Sequence, residues 1–322
     1  MKIILFFSFF LLSIHSIAQQ DPQYTQFMYN KLNYNPAYPG SMGGTSATAI
    51  FRSQWLGVEG APRSQVLNFE TALPNNRIGL GLNLGRNTIG ITNNYNVGFS
   101  YAYRFQMGKG RLGLGLQGSI RSFNVNYGDE RLVATEAISL DGSIPAGQQN
   151  KTNPNFGAGL YYKEDNFYIG FSVPRLLERN IDFSEDAAQI SHSVRHFYLM
   201  GGYVFQVNDR IQIQPQVLFK YAENTPFDID ANVNFIFMRK YSFGATYRAG
   251  GSSVGFPAES VDILFNLQVS DQLLFGLAYD VTFSEIRNHT SGSIEAMLRY
   301  CFNKKTEKDK NSAGDYLNPR FF

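Results

Sequence analysis

One pattern dominates the chain from about residue 45 onward: apolar side chains alternate one by one with polar or very small ones, in segment after segment. Residues 95–106 place Tyr95, Val97, Phe99, Tyr101, Tyr103 and Phe105 opposite Asn96, Gly98, Ser100, Ala102, Arg104 and Gln106. Residues 77–85 set Ile78, Leu80, Leu82 and Leu84 against Arg77, Gly79, Gly81, Asn83 and Gly85. Residues 211–221 and 273–283 repeat the scheme, with Gln212, Gln214, Gln216 and Lys220, then Gly276, Asp280 and Thr282, on the polar side. An extended strand sends successive side chains to opposite faces, so each segment is a strand with one apolar face. The pattern predicts about fourteen strands. They fall near 45–54, 64–73, 77–87, 93–106, 111–127, 154–163, 166–174, 196–207, 210–222, 228–238, 241–248, 260–269, 272–283 and 293–302. Turn residues such as Pro74-Asn75-Asn76, Gly108-Lys109-Gly110 and Asn208-Asp209 separate them, and no convincing helix interrupts the array.

A soluble sandwich and a transmembrane barrel both use many alternating strands. Three features favour an all-β, antiparallel transmembrane barrel. The apolar faces are rich in Phe, Leu and Tyr over about five positions per strand, near the reach of a bilayer core. The opposite faces carry Gly, Asn, Gln, Ser and charge, as a polar interior requires. Many strands end in Tyr or Phe, where an interfacial girdle belongs; the chain has 28 Phe and 19 Tyr but one Trp. A closed barrel pairs every backbone group and leaves no edge in lipid. A helical membrane bundle is excluded, because no apolar run of about 18 residues follows the first twenty positions. The balance of 28 Lys plus Arg against 26 Asp plus Glu, a net of +2, gives no support to a nucleic-acid partner.

The ends read differently. Residues 1–18, MKIILFFSFFLLSIHSIA, have a positive start, an apolar core and a small-x-small site at Ser16-Ile17-Ala18, the pattern of a secretory signal. No Cys follows, which argues against a lipid anchor. Residues 19–44 lack alternation but contain Tyr24, Phe27, Tyr29, Tyr34 and Tyr38. They read either as a loose leader or as a plug or docking segment, and the aromatic content favours packing, for which the lumen of a barrel this size has room. Residues 45–302 are the barrel. Residues 303–322 form a charged tether closing on Asn318, Pro319, Arg320, Phe321 and Phe322, either a frayed end or a docking peptide. An even strand count puts both termini of the chain on one side, which in bacterial barrels is the periplasm, so both termini are expected there.

Four blocks along the chain resemble the PorP/SprF family of Bacteroidetes outer-membrane proteins, which serve type IX secretion. The first, QDPQYTQFMYNKLNYNPAYPG, carries Gln23, Tyr24, Thr25, Gln26, Asn35, Pro36, Ala37 and Gly40. FRSQWLGVEGAPRSQ follows, with Arg52, Gln54, Trp55, Gly60, Ala61 and Pro62. The third block is PNFGAGLYYKEDNFYIGFSVPRLL at 154–177, and the last is NPRFF at 318–322. The resemblance implies a barrel that supports export or surface anchoring of a partner protein carrying a type IX C-terminal domain, in some members a gliding or adhesin cargo. It also implies a link to periplasmic machinery. A porin or small-molecule channel and, less readily, an outer-membrane lipid enzyme are the competing readings.

Chemistry-bearing residues are sparse. His192 and His196 are four apart, but a strand or loop there does not place them on one helical face, His289 stands alone, and Ser191-His192-Ser193 has the residue types of a hydrolase without the geometry. No catalytic residue, metal or cofactor is expected. Gly113, Gly115 and Gly118 sit in a strand, where small residues relieve crowding inside a barrel. Alternation sends Arg52, Glu70, Arg77, Arg104, Arg121, Lys220, Asp230, Asp262, Asp280, Glu295 and Arg299 to the lumen. Mixed signs there imply either a cross-lumen ion-pair network or a surface for an inserted chain end.

Overall fold

A computed structural model describes residues 21–132, 147–180, 192–223, 225–250 and 258–302. Within them, fourteen antiparallel strands close into one barrel. In chain order they are β1 (Thr45–Ser53), β2 (Arg63–Ala72), β3 (Ile78–Ile89), β4 (Thr92–Met107), β5 (Gly110–Asn126), β6 (Gln148–Lys163) and β7 (Phe167–Val173). There follow β8 (His196–Tyr203, resuming at Phe205–Asn208), β9 (Ile211–Ala222), β10 (Asp228–Phe237), β11 (Tyr241–Ala249), β12 (Ala258–Gln268), β13 (Leu273–Thr282) and β14 (Ser293–Cys301). Each strand pairs with its neighbours in sequence, and β1 pairs with β14, Arg52 opposite Glu295, to shut the ring. A short two-residue ribbon, Arg179–Asn180 with His192–Ser193, stands outside it. The helices among the described residues are single turns, and none is long and apolar enough to cross a membrane.

The boundaries follow the alternation closely. The main departure is β6, which begins at Gln148, six residues before the apolar pattern does at Pro154. QQNKTN pairs fully with β5 but carries no apolar face, so periodicity was silent there. The burial pattern is inverted relative to a soluble protein. Phe99 is 54% and Leu116 66% exposed, whereas Asp230, Asp262 and Glu295 are fully buried. Only an apolar solvent outside and a packed polar interior make that arrangement stable.

The two mouths differ. Links at the end where β1 starts and β14 stops are short: 73–77, 108–109, 164–166, 209–210, 238–240 and 269–272. The longest links, 54–62, 127–147, 174–195 and 283–292, are all at the other end.

Candidate functional site

The lumen is occupied by the chain itself. Residues 21–44 traverse it from mouth to mouth, through a 3-10 turn at Phe27–Tyr29 and a helical turn at Lys31–Tyr34. Tyr24, Thr25, Gln26, Phe27, Asn30, Lys31, Asn35, Ala37 and Tyr38 are all at most 2% exposed. At the long-loop mouth Asp21 meets Arg121 at 3.0 Å, Arg175, and the Tyr198 hydroxyl at 3.0 Å. At the short-turn mouth the carbonyl of Pro39 accepts from Arg104, and Lys163 Nζ reaches the carbonyl of Ser41 at 3.5 Å. This corrects the expectation that both ends share one side. It holds for the strand array, with Thr45 and Cys301 together, but Asp21 lies at the opposite mouth.

One wall of the lumen is ionic. Lys220 on β9 bridges Asp228 at 3.2 Å and Asp230 at 2.8 Å. Arg248 on β11 bridges Asp230 at 2.8 Å and Asp262 at 3.5 Å. Arg52 pairs with Asp280 and, at 3.3 Å, with Glu295; Arg299 pairs with Glu70 at 2.9 Å. The threaded segment is tied into this wall. Glu295 accepts the backbone N–H groups of Thr25 and Gln26, each at 2.9 Å. The Thr25 hydroxyl accepts from Arg52 at 2.8 Å and donates to Asp280 at 2.7 Å. Gln23 donates to Asp228 at 2.6 Å. A carboxylate receiving two N–H bonds while paired with a guanidinium is fully compensated, which a buried charge requires.

The facing wall uses amides and small residues. An asparagine relay runs from the segment outward: Asn68 donates to Asn30 at 2.6 Å, Asn83 to Asn68 at 2.6 Å, and Asn96 to Asn83 at 2.7 Å. Asn35 bonds twice, its carbonyl oxygen accepting from Ala37 N–H at 2.8 Å and its amide donating to the Leu160 carbonyl at 2.9 Å. Pro36 and Ala37 press on Gly115, where a Cβ would collide with their backbone. Aromatic rings line the lower lumen: Tyr38 packs edge-on to Tyr161 at 5.4 Å, Tyr161 stacks on Tyr168, and Lys31 Nζ sits 3.7 Å over the Tyr168 ring.

The candidate residues therefore fall as follows. Gln23, Tyr24, Thr25, Gln26, Asn35 and Pro36 line up along the lumen, and Arg52, Glu70, Asp262, Asp280, Glu295 and Arg299 meet them or one another there. Arg104 and Arg121 sit near opposite mouths. Arg77 is a correction: it precedes β3 in a turn and is exposed. Gly118 is another, since it faces outward with nothing within 4 Å, while Gly113 and Gly115 face the segment. Asn318, Pro319, Arg320, Phe321 and Phe322, like residues 1–18, lie outside the described residues. Sequence reasoning missed Arg248, although Ser242, Gly244, Thr246 and Arg248 share the polar phase of β11 and would have revealed it. His196 lies 3.7 Å from Asp21. Among the described residues no group of three or more His, Cys, Asp or Glu is placed to hold a metal ion.

An apolar-coated closed barrel with a polar lumen is an outer-membrane β-barrel. The chain belongs to the PorP/SprF family: the model for "Type IX secretion system membrane protein PorP/SprF" matches residues 16–300. It is thus an outer-membrane barrel of type IX secretion. No curated protein matches it. Among solved structures it is similar in fold to the Ralstonia pickettii toluene transporter TbuX, with a TM-score of 0.51 and 12% identity over 84% of this chain and 92% of that one. Two further barrels match, an outer membrane protein Omp33 of Acinetobacter baumannii (TM-score 0.47, 10% identity, 80% and 99% coverage) and a Pseudomonas aeruginosa FadL homologue (0.44, 14%, 90% and 96%).

Proposed function

We propose that this barrel is a non-enzymatic holder of a secretion partner, not a diffusion channel. It would support export or surface anchoring of a protein with a type IX C-terminal domain, such as a gliding or adhesin cargo, and link it to periplasmic machinery. The observation that carries this reading is the threaded segment 21–44, whose backbone is bonded to Glu295 deep in the lumen. Cavities beside its upper part, around Asp21 and Pro22, are only about 30 Å³ each. Such filling argues against a solute path, and mixed-sign charge paired within the wall is unlike a pore selective for one sign.

The short links then face the periplasm and the long ones the cell surface, as in bacterial barrels generally. The strand array ends at Cys301 on the periplasmic side, and residues 303–322 leave from there as a tether to periplasmic components. The test of function is planar-bilayer conductance of the full chain beside a deletion of residues 22–40. A silent parent and a conducting deletion support a filled barrel, whereas open-state conductance in the parent returns the porin reading. Orientation is tested separately in a Cys301→Ser background, with a membrane-impermeant maleimide on Glu130→Cys and Lys109→Cys in intact cells. Labelling at position 130 alone supports it, and labelling at position 109 reverses it.

A further inference from the structure

The short-turn mouth contains a cavity of about 280 Å³ between the Gly40–Gly43 end of the threaded segment and the turns after β4 and β6. Four cations line it, Arg104, Lys109, Arg111 and Lys163, against two carboxylates, Glu164 and Asp165. Glu164 is turned toward Tyr162, whose hydroxyl donates to it at 2.7 Å.

Arg104 differs from the other buried lumenal arginines. Arg52, Arg248 and Arg299 each reach a carboxylate. Arg104 is 4% exposed and reaches none among the described residues. Its Nε donates to the Asn76 carbonyl at 3.1 Å and its Nη1 to the Pro39 carbonyl, while Nη2 finds no acceptor. Gly40, at φ +71°, leaves the space that Nη2 occupies. Carbonyls satisfy donors but supply no counter-charge, so a buried positive charge stands at the floor of the cavity. At the rim, Lys109 and Arg111 are exposed and make no ion pair among the described residues. The mouth is a positive funnel in which Arg104, Lys109 and Arg111 make no ion pair among the described residues.

We propose that this mouth docks an acidic peptide segment of a protein partner, its carboxylates meeting Lys109 and Arg111 at the rim above the field of Arg104. A guanidinium fork fits a carboxylate in two parallel bonds, and low-dielectric walls focus the field of the cavity. The chain's own tail does not complement it: residues 303–322 carry Lys304, Lys305, Lys308, Lys310 and Arg320 against Glu307, Asp309 and Asp315. Only the side of the membrane on which the partner waits rests on the proposed function; the binding chemistry does not.

The full-length protein in detergent is titrated with a fluorescein-labelled hexaglutamate peptide and, as a neutral control, hexaglutamine, by anisotropy. Arg111→Glu and Lys109→Glu change exposed rim positions and leave the fold intact. Each is expected to weaken hexaglutamate binding by about tenfold or more, and added salt to weaken the parent. Arg63→Glu, exposed at the opposite mouth, is expected to change it less than about twofold. Equal affinity of the rim variants and the parent, equal loss in Arg63→Glu, equal binding of hexaglutamine, or tighter binding of inorganic phosphate would each overturn the proposal. Because the titration is done in detergent, its failure and a reversed membrane orientation are read by different experiments.

Discussion

Glu295→Ala removes a side chain that holds two successive backbone N–H groups of the threaded segment to the barrel wall. The carboxylate accepts Thr25 N–H and Gln26 N–H at 2.9 Å and pairs with Arg52 at 3.3 Å. Hydrogen bonds to a charged acceptor contribute roughly 1.5–3 kcal/mol each. Arg52 keeps Asp280, so the truncation does not strand it completely. Breaking a buried pair by removing one partner costs about 3–5 kcal/mol, and the bonds to the segment fall within that sum. The control is Ile294→Ala, one residue away on the lipid face and 40% exposed. Its loss should be no more than about 1 kcal/mol, because lipid replaces the missing contacts. Two readouts are needed: the denaturant midpoint of the barrel, and the rate at which protease in detergent cuts residues 21–44. The alanine at 295 should lower the midpoint by several times the shift at 294 and accelerate cleavage of the segment. Comparable midpoint shifts for the two variants would refute the inside and outside assignment of β14. A lowered midpoint with unchanged proteolysis would refute the clamp.

Three further outcomes are expected. Gly115→Val should dislodge the segment and make it protease-sensitive, while Gly118→Val, facing open space on the same strand, should change neither cleavage nor stability; equal effects would reject the path of residues 36–37. Asp280→Leu, which strips Arg52 and Thr25 of a partner, should destabilise by about 3–5 kcal/mol, and Phe99→Leu on the lipid face by under about 1 kcal/mol, read as heat-modifiability on gels. Truncation after Ser312 should leave the barrel inserted but reduce recovery of periplasmic partners from envelope extracts; equal recovery removes the docking role of the tail, and failed assembly makes it an insertion signal.

The strand array and its inside–outside phase were written in the sequence. A strand's faces are set by parity alone, so Tyr95 through Phe105 point outward and Asn96 through Gln106 inward without knowledge of any neighbour. Parity failed where local composition carried no contrast, as at Gln148–Asn153, or where a residue had left the strand, as Arg77 had. What the tertiary structure alone decided is who meets whom in the lumen. Arg52 and Asp280 are separated by a whole strand, yet stagger and closure bring them into contact across β14. The path of residues 21–44 belongs to the same class. Their aromatics announced a segment that packs, but no periodicity gives a direction of travel through a ring closed by a pairing more than 200 residues apart. That direction, from Asp21 against Arg175 to Pro39 against Arg104, is what leaves one mouth compensated and the other positive. Long-range charge pairing depends on distance in space, and a sequence records only distance along the chain.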